Sequence, residues 1–475
     1  MEITSIPFSP IYHQFIEQQP FPIKYFHFRT SQDPVVEQPK GFYAKTNYAA
    51  RLYHTLLKNS GFTEIENYSK ANIILGTNLN EQIKNQLSPL QRVTHYDKTF
   101  CLGSKAGYHK IMKEYEKFNG EHPPFYSETY LLPEEKDELA EAFETSPLWI
   151  RKPAGGSRGN GISVINELPS NPGRIVVQKY ISNPLLINGL KFDLRFYVAV
   201  ASLNPLQLFV HKNGLVRLAT EPYNDNFDNL ENNFAHLTNF SINKNDEHFQ
   251  ATDDMSKDGT GNKWTHAPLW PFLEKAGFDP NKIRHDIDDA FTAVIGTARN
   301  TFIDQNDHMH AFELFGFDVM LDETGHIYIL EVNVTPAMGT SSGLDLFVKE
   351  PVLKDLFNIG LIPLQSLEAE ENYSLIYTEQ KMPKNIDLMK KDPAAAFAVI
   401  SEFENRLQKE GDFRCIYPTP ERINTLAPKF PYYSAYDRVL ENWIKMNNEK
   451  KLSFLQISYP AYIQALTSSS LDNAE

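Results

Sequence analysis

Cysteine is almost missing from this chain: Cys101 and Cys415 are the only two in 475 residues. Two cysteines cannot build a disulfide framework, so a reducing, cytosolic compartment is expected. Neither has His or Cys neighbours at zinc spacing, so no zinc site is expected. Long apolar runs are missing too. No stretch approaches the ~18 residues a membrane-spanning helix needs, so no membrane span is expected. The opening Met1-Glu2-Ile3-Thr4 has no basic segment ahead of an apolar core, so no secretory leader is expected. Basic residues are the scarcer charge: 46 Lys and Arg stand against 60 Asp and Glu, a net of −14. That balance suits nucleic acid poorly. The 14 histidines are scattered singly, so no Ser/His/Asp or Cys/His set is recognisable, and His236 reads as structural.

What is present argues for a folded enzyme-sized protein. Hydrophobic residues make up 41% and aromatics 12%, enough to exclude a disordered chain. The length calls for two to four packed units. Residues 1–95 read as a small α/β domain, with a buried strand at Ala71–Gly76 and a helix from Lys45 to Asn59 closed by Ser60-Gly61. Residues 96–175 hold a helix from Ser104 to Phe118 and two strands around a glycine-rich loop. Residues 176–361 carry the main sheet, with Ile283, Ile287, Phe291, Val294, Ala298 and Phe302 at helical spacing between its strands. Residues 362–475 read as a helix-rich extension. One of its helices opens with Asp392 as N-cap and Pro393 behind it, and Gly411 stands just past its end.

Three segments carry chemistry. Phe312–Leu321 and His326–Asn333 read as a hairpin around the loop 322–325. In that register Leu321 faces His326 and Asp318 faces Ile329, which puts Asp318, Glu331 and Asn333 on one face. Three oxygen-bearing side chains stand where a strand would bury Val or Leu. Mg²⁺ is a hard cation that takes such ligands together with phosphate oxygens. In Lys191–Val198 the residues Lys191, Asp193, Arg195 and Tyr197 share a face, opposite Phe192, Leu194, Phe196 and Val198. Basic groups flanking a carboxylate suit polyphosphate and metal, although a solvated strand face gives the same alternation. Lys152-Pro153-Ala154-Gly155-Gly156-Ser157-Arg158-Gly159-Asn160-Gly161 lets backbone N–H groups approach phosphate, but lacks the Gly-Lys-Ser/Thr ending of a Walker loop.

In this order the pieces resemble the tubulin–tyrosine-ligase-like family. The glycine-rich hairpin is followed by Val177-Gln178-Lys179-Tyr180-Ile181, Lys191-Phe192-Asp193-Leu194-Arg195, Gly214-Leu215-Val216-Arg217, His236-Leu237-Thr238-Asn239, Asp318 and Glu331-Val332-Asn333. The resemblance implies an α/β (α+β) ATP-grasp fold, with an N-terminal α/β domain and a helix-rich C-terminal extension. It implies ATP and Mg²⁺ as cofactors. Lys105, Lys152, Arg158 and Gly159 would hold phosphates, and Gln178, Lys179, Tyr180 and Ile181 the adenine. Lys191, Phe192, Asp193, Thr238 and Asn239 would line the nucleotide and reaction centre. Asp318, Glu331 and Asn333 would hold metal, and Arg195 would stabilise the oxyanion of an acyl-phosphate reaction.

Tyr180–Lys191 and Lys263-Trp264-Thr265 resemble the glutamylase branch. In that branch Arg217, Ser241, Lys263 and Lys349 would bind free L-glutamate, with Phe240 standing where a Tyr is usual. Pro336-Ala337-Met338-Gly339 also departs from the usual Ser-Pro-Ser pattern. The implied partner is an acceptor protein with an acidic segment, a tubulin tail, which implies microtubule association. Lys381, Lys384, Lys390 and Lys391 are the one loose basic cluster available to meet it. The expected protein is a monomer that ligates glutamate. Tyrosine or glycine ligation, and an inactive ATP- or microtubule-binding module, are the alternatives.

Overall fold

A computed structural model describes residues 6–19, 24–47, 50–77, 79–146, 148–156, 161–170, 173–223, 233–238, 243, 246–250, 254–303, 310–364 and 386–468. Three sheets organise them. The first is parallel, in the order β2-β1-β3-β4, from β1 (Gly41–Lys45), β2 (Phe62–Glu64), β3 (Ile73–Leu75) and β4 (Arg92–Val93). The helix expected from Lys45 starts only at Arg51 and runs to Asn59. The reason lies ahead of it: Gly41–Lys45 is a strand with parallel neighbours on both sides.

The second sheet is antiparallel, in the order β5-β8-β6-β7, from β5 (Thr129–Leu132), β6 (Trp149–Pro153), β7 (Ser163–Ile165) and β8 (Ile175–Lys179). Helix Lys105–Asn119 leads into it. Ser104 caps that helix by accepting from the Gly107 N–H, and left-handed Gly120 ends it.

The third and largest sheet is built on β10 (Leu190–Leu203), beside the short β9 (Leu186–Ile187). One edge of β10 is shared by β11 (Leu206–His211) and β12 (Leu215–Leu218), and β13 (Lys263–Thr265) follows β12. The other edge pairs with β14 (Glu313–Leu321), which pairs in turn with β15 (Ile327–Asn333). Period-2 alternation splits β10 between two environments. Phe192, Leu194, Phe196, Val198 and Val200 enter one core with helix Pro280–Phe302, whose Ile283, Ile287, Phe291, Val294, Ala298 and Phe302 are all buried there. Tyr197, Ala199 and Ala201 enter a second core with helix Gly343–Ile359. Ahead of them on that same face come Lys191, Asp193 and Arg195, buried among polar groups instead.

The segment after residue 386 supplies more than helices. Asp392 accepts from the Ala395 N–H and Pro393 opens helix Pro393–Gln408, as expected, but the helix stops before Gly411. Gly411 instead makes a positive-φ turn into β16 (Phe413–Tyr417), which extends the large sheet beyond β11. Among the described residues, no helix is long and apolar enough to cross a membrane.

Candidate active site

The second and third sheets face each other across a cleft. Lys152 from β6 and Gln178 and Lys179 from β8 line one wall, followed by Tyr180 and Ile181. Lys191 and Asp193 from β10, Asp318 from β14 and Glu331 from β15 line the other. Ile150, Ile162, Leu237, Met320 and Leu330 give the cleft an apolar lining, and Lys105 stands at the helix entrance. Thr238 and His236 close it.

The polar face is organised by strand register. Across three strands, Lys263 opposes Arg217 and Arg217 opposes Asp193. One rung further along β10, Arg195 opposes Asp318 and Asp318 opposes Glu331. Each rung thus sets one cation against one carboxylate on neighbouring strands, Arg217 against Asp193 and Arg195 against Asp318, and the side chains pair accordingly. Arg217 donates to both oxygens of Asp193 at 2.6 Å and reaches Asp318 at 2.9 Å. Arg195 holds both oxygens of Asp318. Thr238 donates to Asp193 at 2.6 Å. Burial pushes the Asp318 carboxyl up, but the two guanidinium groups outweigh it and hold it well below the usual carboxylate range.

Asp318, Glu331 and Asn333 do converge, by a register that differs from the expected one. Leu321 pairs with Ile327 and Val319 with Ile329; a bulge at Leu330 then sets Asp318 opposite Glu331 and Gly316 opposite Asn333. The loop is one residue longer than expected, which puts Ile329 on the core face, and the extra residue at Leu330 then returns Glu331 to the cleft face. The Asn333 amide lies 3.5 Å from Asp318 Oδ2 and 3.3 Å from Glu331 Oε1. Turning that amide over would present its oxygen instead. Two carboxylates and an amide oxygen are all hard donors, so the set fits Mg²⁺.

Lys105, Lys152 and Lys191 share the cleft. Lys105 lies 3.6 Å from Glu331 and 3.4 Å from the Gly156 carbonyl. Lys152 donates to Gln178 Oε1 at 2.6 Å. Burial, with Lys105 nearby, lowers Lys152 to about 8, against the opposing pull of Glu331. Burial, with Lys152 nearby, lowers Lys191 to about 7, with Asp193 opposing. Lys191 donates to the Tyr180 hydroxyl at 3.0 Å, and that hydroxyl lies 2.9 Å from His236 Nδ1. His236 is therefore part of the cleft wall rather than an isolated core histidine.

Other expected residues are placed as follows. Phe192 is buried in the core on the far side of β10, as the alternation demands, and does not line the cleft. Lys263 and Lys349 meet at a single carboxylate, Asp345, at 2.7 and 2.8 Å. Arg217 is the strand neighbour of Lys263 but spends its hydrogen bonds on Asp193 and Asp318. Arg158, Gly159, Asn239, Phe240 and Ser241, with Lys381 and Lys384, lie outside the described residues. Lys390 and Lys391 are exposed.

Some site residues escaped the sequence reading. Met320 was legible, since it follows Asp318 by two on one strand; Leu330 reaches the cleft only through the bulge.

The tubulin-tyrosine ligase family matches residues 81–369. The chain is 33% identical over 374 residues to the tubulin polyglutamylase ttll-4 of Caenorhabditis elegans, covering 70% of this chain and 60% of that protein. It is 30% identical over 413 residues to the tubulin monoglutamylase TTLL4 of Mus musculus, covering 76% and 34%. It is 33% identical over 358 residues to the human tubulin polyglutamylase TTLL5, covering 70% and 27%. The chain thus spans between about a quarter and three fifths of the length of these curated relatives. With two sheets closing on a cleft in the ATP-grasp manner, and a match over more than half its length, this chain belongs to the tubulin-tyrosine ligase family.

Proposed function

We propose that the chain is an ATP-dependent ligase that joins free L-glutamate to a side-chain carboxylate of an acceptor protein, with an acidic tubulin tail as the acceptor. One observation carries this reading. The two charged rungs of the sheet link the lysines of the cleft and the Asp318–Glu331–Asn333 oxygens to a second group of cations, Arg217, Lys263 and Lys349. Both halves of a two-step ligation are therefore provided for on one surface.

In the first step an acceptor carboxylate oxygen attacks the γ-phosphorus of ATP. The bond to the β,γ-bridging oxygen breaks, and ADP leaves from an acyl phosphate. Lys105, Lys152 and Lys191 would hold the phosphate oxygens in line, a positioning and charge-stabilising role. Bound at Asp318, Glu331 and Asn333, Mg²⁺ would neutralise charge on the transferring phosphates. In the second step the deprotonated amine of glutamate attacks the acyl carbon and phosphate leaves, forming an isopeptide bond. Arg195, fixed by Asp318, is the candidate for stabilising the tetrahedral oxyanion. Arg217, Lys263 and Lys349 would receive the carboxylates of glutamate, since a dicarboxylate needs several cations.

The names of the relatives, which are tubulin glutamylases, support glutamate over tyrosine or glycine and tubulin over other acceptors. The test is incubation with ATP, Mg²⁺ and each labelled amino acid over a panel of acceptors including tubulin, read by mass spectrometry. Glutamate added to acidic tails is the expected result. Tyrosine or glycine addition would replace the amino acid, and ATP binding without transfer would replace the enzyme reading.

A further inference from the structure

Lys263 ends on the same carboxylate oxygen as Lys349: both ammonium groups contact Asp345 Oδ1, at 2.7 and 2.8 Å. All three residues are buried, Lys263 to 7%, Lys349 to 6% and Asp345 to 1% exposure. Two ammonium groups this close repel strongly where water is scarce. Asp345 is what lets them stand side by side.

Asp345 is itself held on every side. Its second oxygen accepts from the Ser341 hydroxyl at 2.9 Å and the Ser342 hydroxyl at 3.3 Å. Its backbone N–H donates to Ser342 Oγ, the cap of helix Gly343–Ile359, so the carboxylate sits in the first turn of that helix, where negative charge is favoured. Lys349, one turn further, also donates to the Gly339 carbonyl at 2.6 Å. The helix start, the strand β13 and the loop before the helix are thus tied through one side chain. Lys349 thus uses two of its three donors, on Asp345 and Gly339, and keeps one for a ligand.

We propose that Asp345 is a positioning residue for the amino-acid substrate: it holds Lys263 and Lys349 together and charged, as a paired seat for one carboxylate of glutamate. This rests on the glutamate reading above. Burial pushes both lysines below their ordinary range and Asp345 opposes this; Arg217 and Arg195 add to the fall at Lys263, and Lys263 and Arg195 add to it at Lys349. Burial pushes the Asp345 carboxyl up, but Lys263 and Lys349 together hold it below the usual range. Arg217 on β12, and Arg195 and Tyr197 on β10, are the other ionisable groups facing this cluster, with Asp318 beyond them on β14. Removing the Asp345 charge leaves every nearby influence pressing one lysine toward its neutral form.

The test compares wild type, Asp345→Asn, Lys263→Gln and the double variant in glutamate ligation. Asp345→Asn keeps the shape and the backbone cap. It is expected to raise the glutamate KM about tenfold to a hundredfold, the range for losing one charge-assisted contact. The ATP KM should not change and kcat should stay within a few-fold. The rise of glutamate KM with pH should begin at lower pH in Asp345→Asn than in wild type. In the Lys263→Gln background, adding Asp345→Asn should cost much less than it does alone, because the two act through one seat. An unchanged glutamate KM and pH profile, fully multiplicative effects in the double variant, or a joint loss of kcat, ATP affinity and melting temperature would each overturn the proposal. Wild-type protein that ligates no glutamate would instead overturn the reading on which it rests.

Discussion

Arg195 stands directly opposite Asp318 across β10 and β14, and its guanidinium holds both oxygens of that carboxylate. Asp318 also faces Glu331 on its other side. A candidate oxyanion-stabilising group and a candidate metal ligand are therefore one rigid unit, and a change at either should be felt by both. Asp318 is 2% exposed, so removing Arg195 would leave a buried carboxylate with Arg217 as its remaining cation. Arg195→Met is expected to destabilise the protein by about 3 kcal/mol, the low end for breaking a buried pair. Urea unfolding measures this, and a loss under about 0.5 kcal/mol, the scale of an ordinary surface change, would mean that the pair is not coupled as described.

Glu331 offers a cleaner probe of the metal. Its side chain is 30% exposed and its nearest cation is Lys105 at 3.6 Å, so little folding energy depends on it. Glu331→Gln should lower ligation by orders of magnitude and raise the Mg²⁺ concentration needed, with the melting temperature nearly unchanged. Wild-type turnover at low Mg²⁺ would refute the assignment.

The two depressed lysines predict opposite responses of stability and binding to pH. Their folded-state values, about 7 for Lys191 and about 8 for Lys152, lie below the ordinary lysine value of 10.5. Between these limits the unfolded chain holds more protons than the folded one, so their contribution to stability rises with pH across roughly 7 to 10.5. ATP phosphates need the charged forms. The ATP KM should therefore increase as pH rises through 7 to 8, and ATP binding should take up protons. Calorimetry in buffers of different ionisation enthalpy reads the uptake directly. A heat of binding that is independent of buffer at pH 8 would remove these lysines from the phosphate site.

Arg217 and Lys263 should separate in substrate dependence although they are strand neighbours. Arg217 braces Asp193 and Asp318, so Arg217→Ala should lower turnover with every amino acid. Lys263→Ala removes a partner of Asp345 alone among these carboxylates and should raise the glutamate KM selectively. Equal and general losses in both variants would argue against a side-chain carboxylate site at Lys263.

A stability prediction independent of function concerns Gly411. Its φ is +59°, and a Cβ there would come within 2.4–2.6 Å of the Asp355 carboxylate. Gly411→Ala should cost more than ~1 kcal/mol, from the left-handed conformation and the clash together. A neutral result in urea unfolding would show that the turn relaxes at no cost.

The charged face of β10 could be read from alternation, because period 2 is a local property. The bulge at Leu330 could not. Nothing in Tyr328-Ile329-Leu330-Glu331 marks the extra residue, and the register is decided by which side chains the core accepts: Ile329 goes in and Glu331 comes out. The Arg217–Asp193 and Lys263–Asp345 pairs were hidden for a different reason. Their partners are 24 and 82 residues away, so only tertiary placement joins them. The partner of His236 could not be read from the sequence, because Tyr180 is 56 residues distant. Gly411 was legible as a chain-reversing glycine, but sequence could not tell a helix end from the turn into a strand.

The strand Phe413–Tyr417 lies well past residue 369, where the family match stops, yet it is hydrogen-bonded to β11 in the same sheet that carries Arg195. Arg414 is also tied to Asp288 of helix Pro280–Phe302 at 2.6 and 3.0 Å. An expression fragment cut at the family boundary would leave β11 as a bare, apolar edge. Such an edge recruits strands from other copies and drives aggregation. The smallest well-behaved catalytic unit therefore reaches at least to residue 417, and insolubility of a shorter fragment would say nothing against its chemistry.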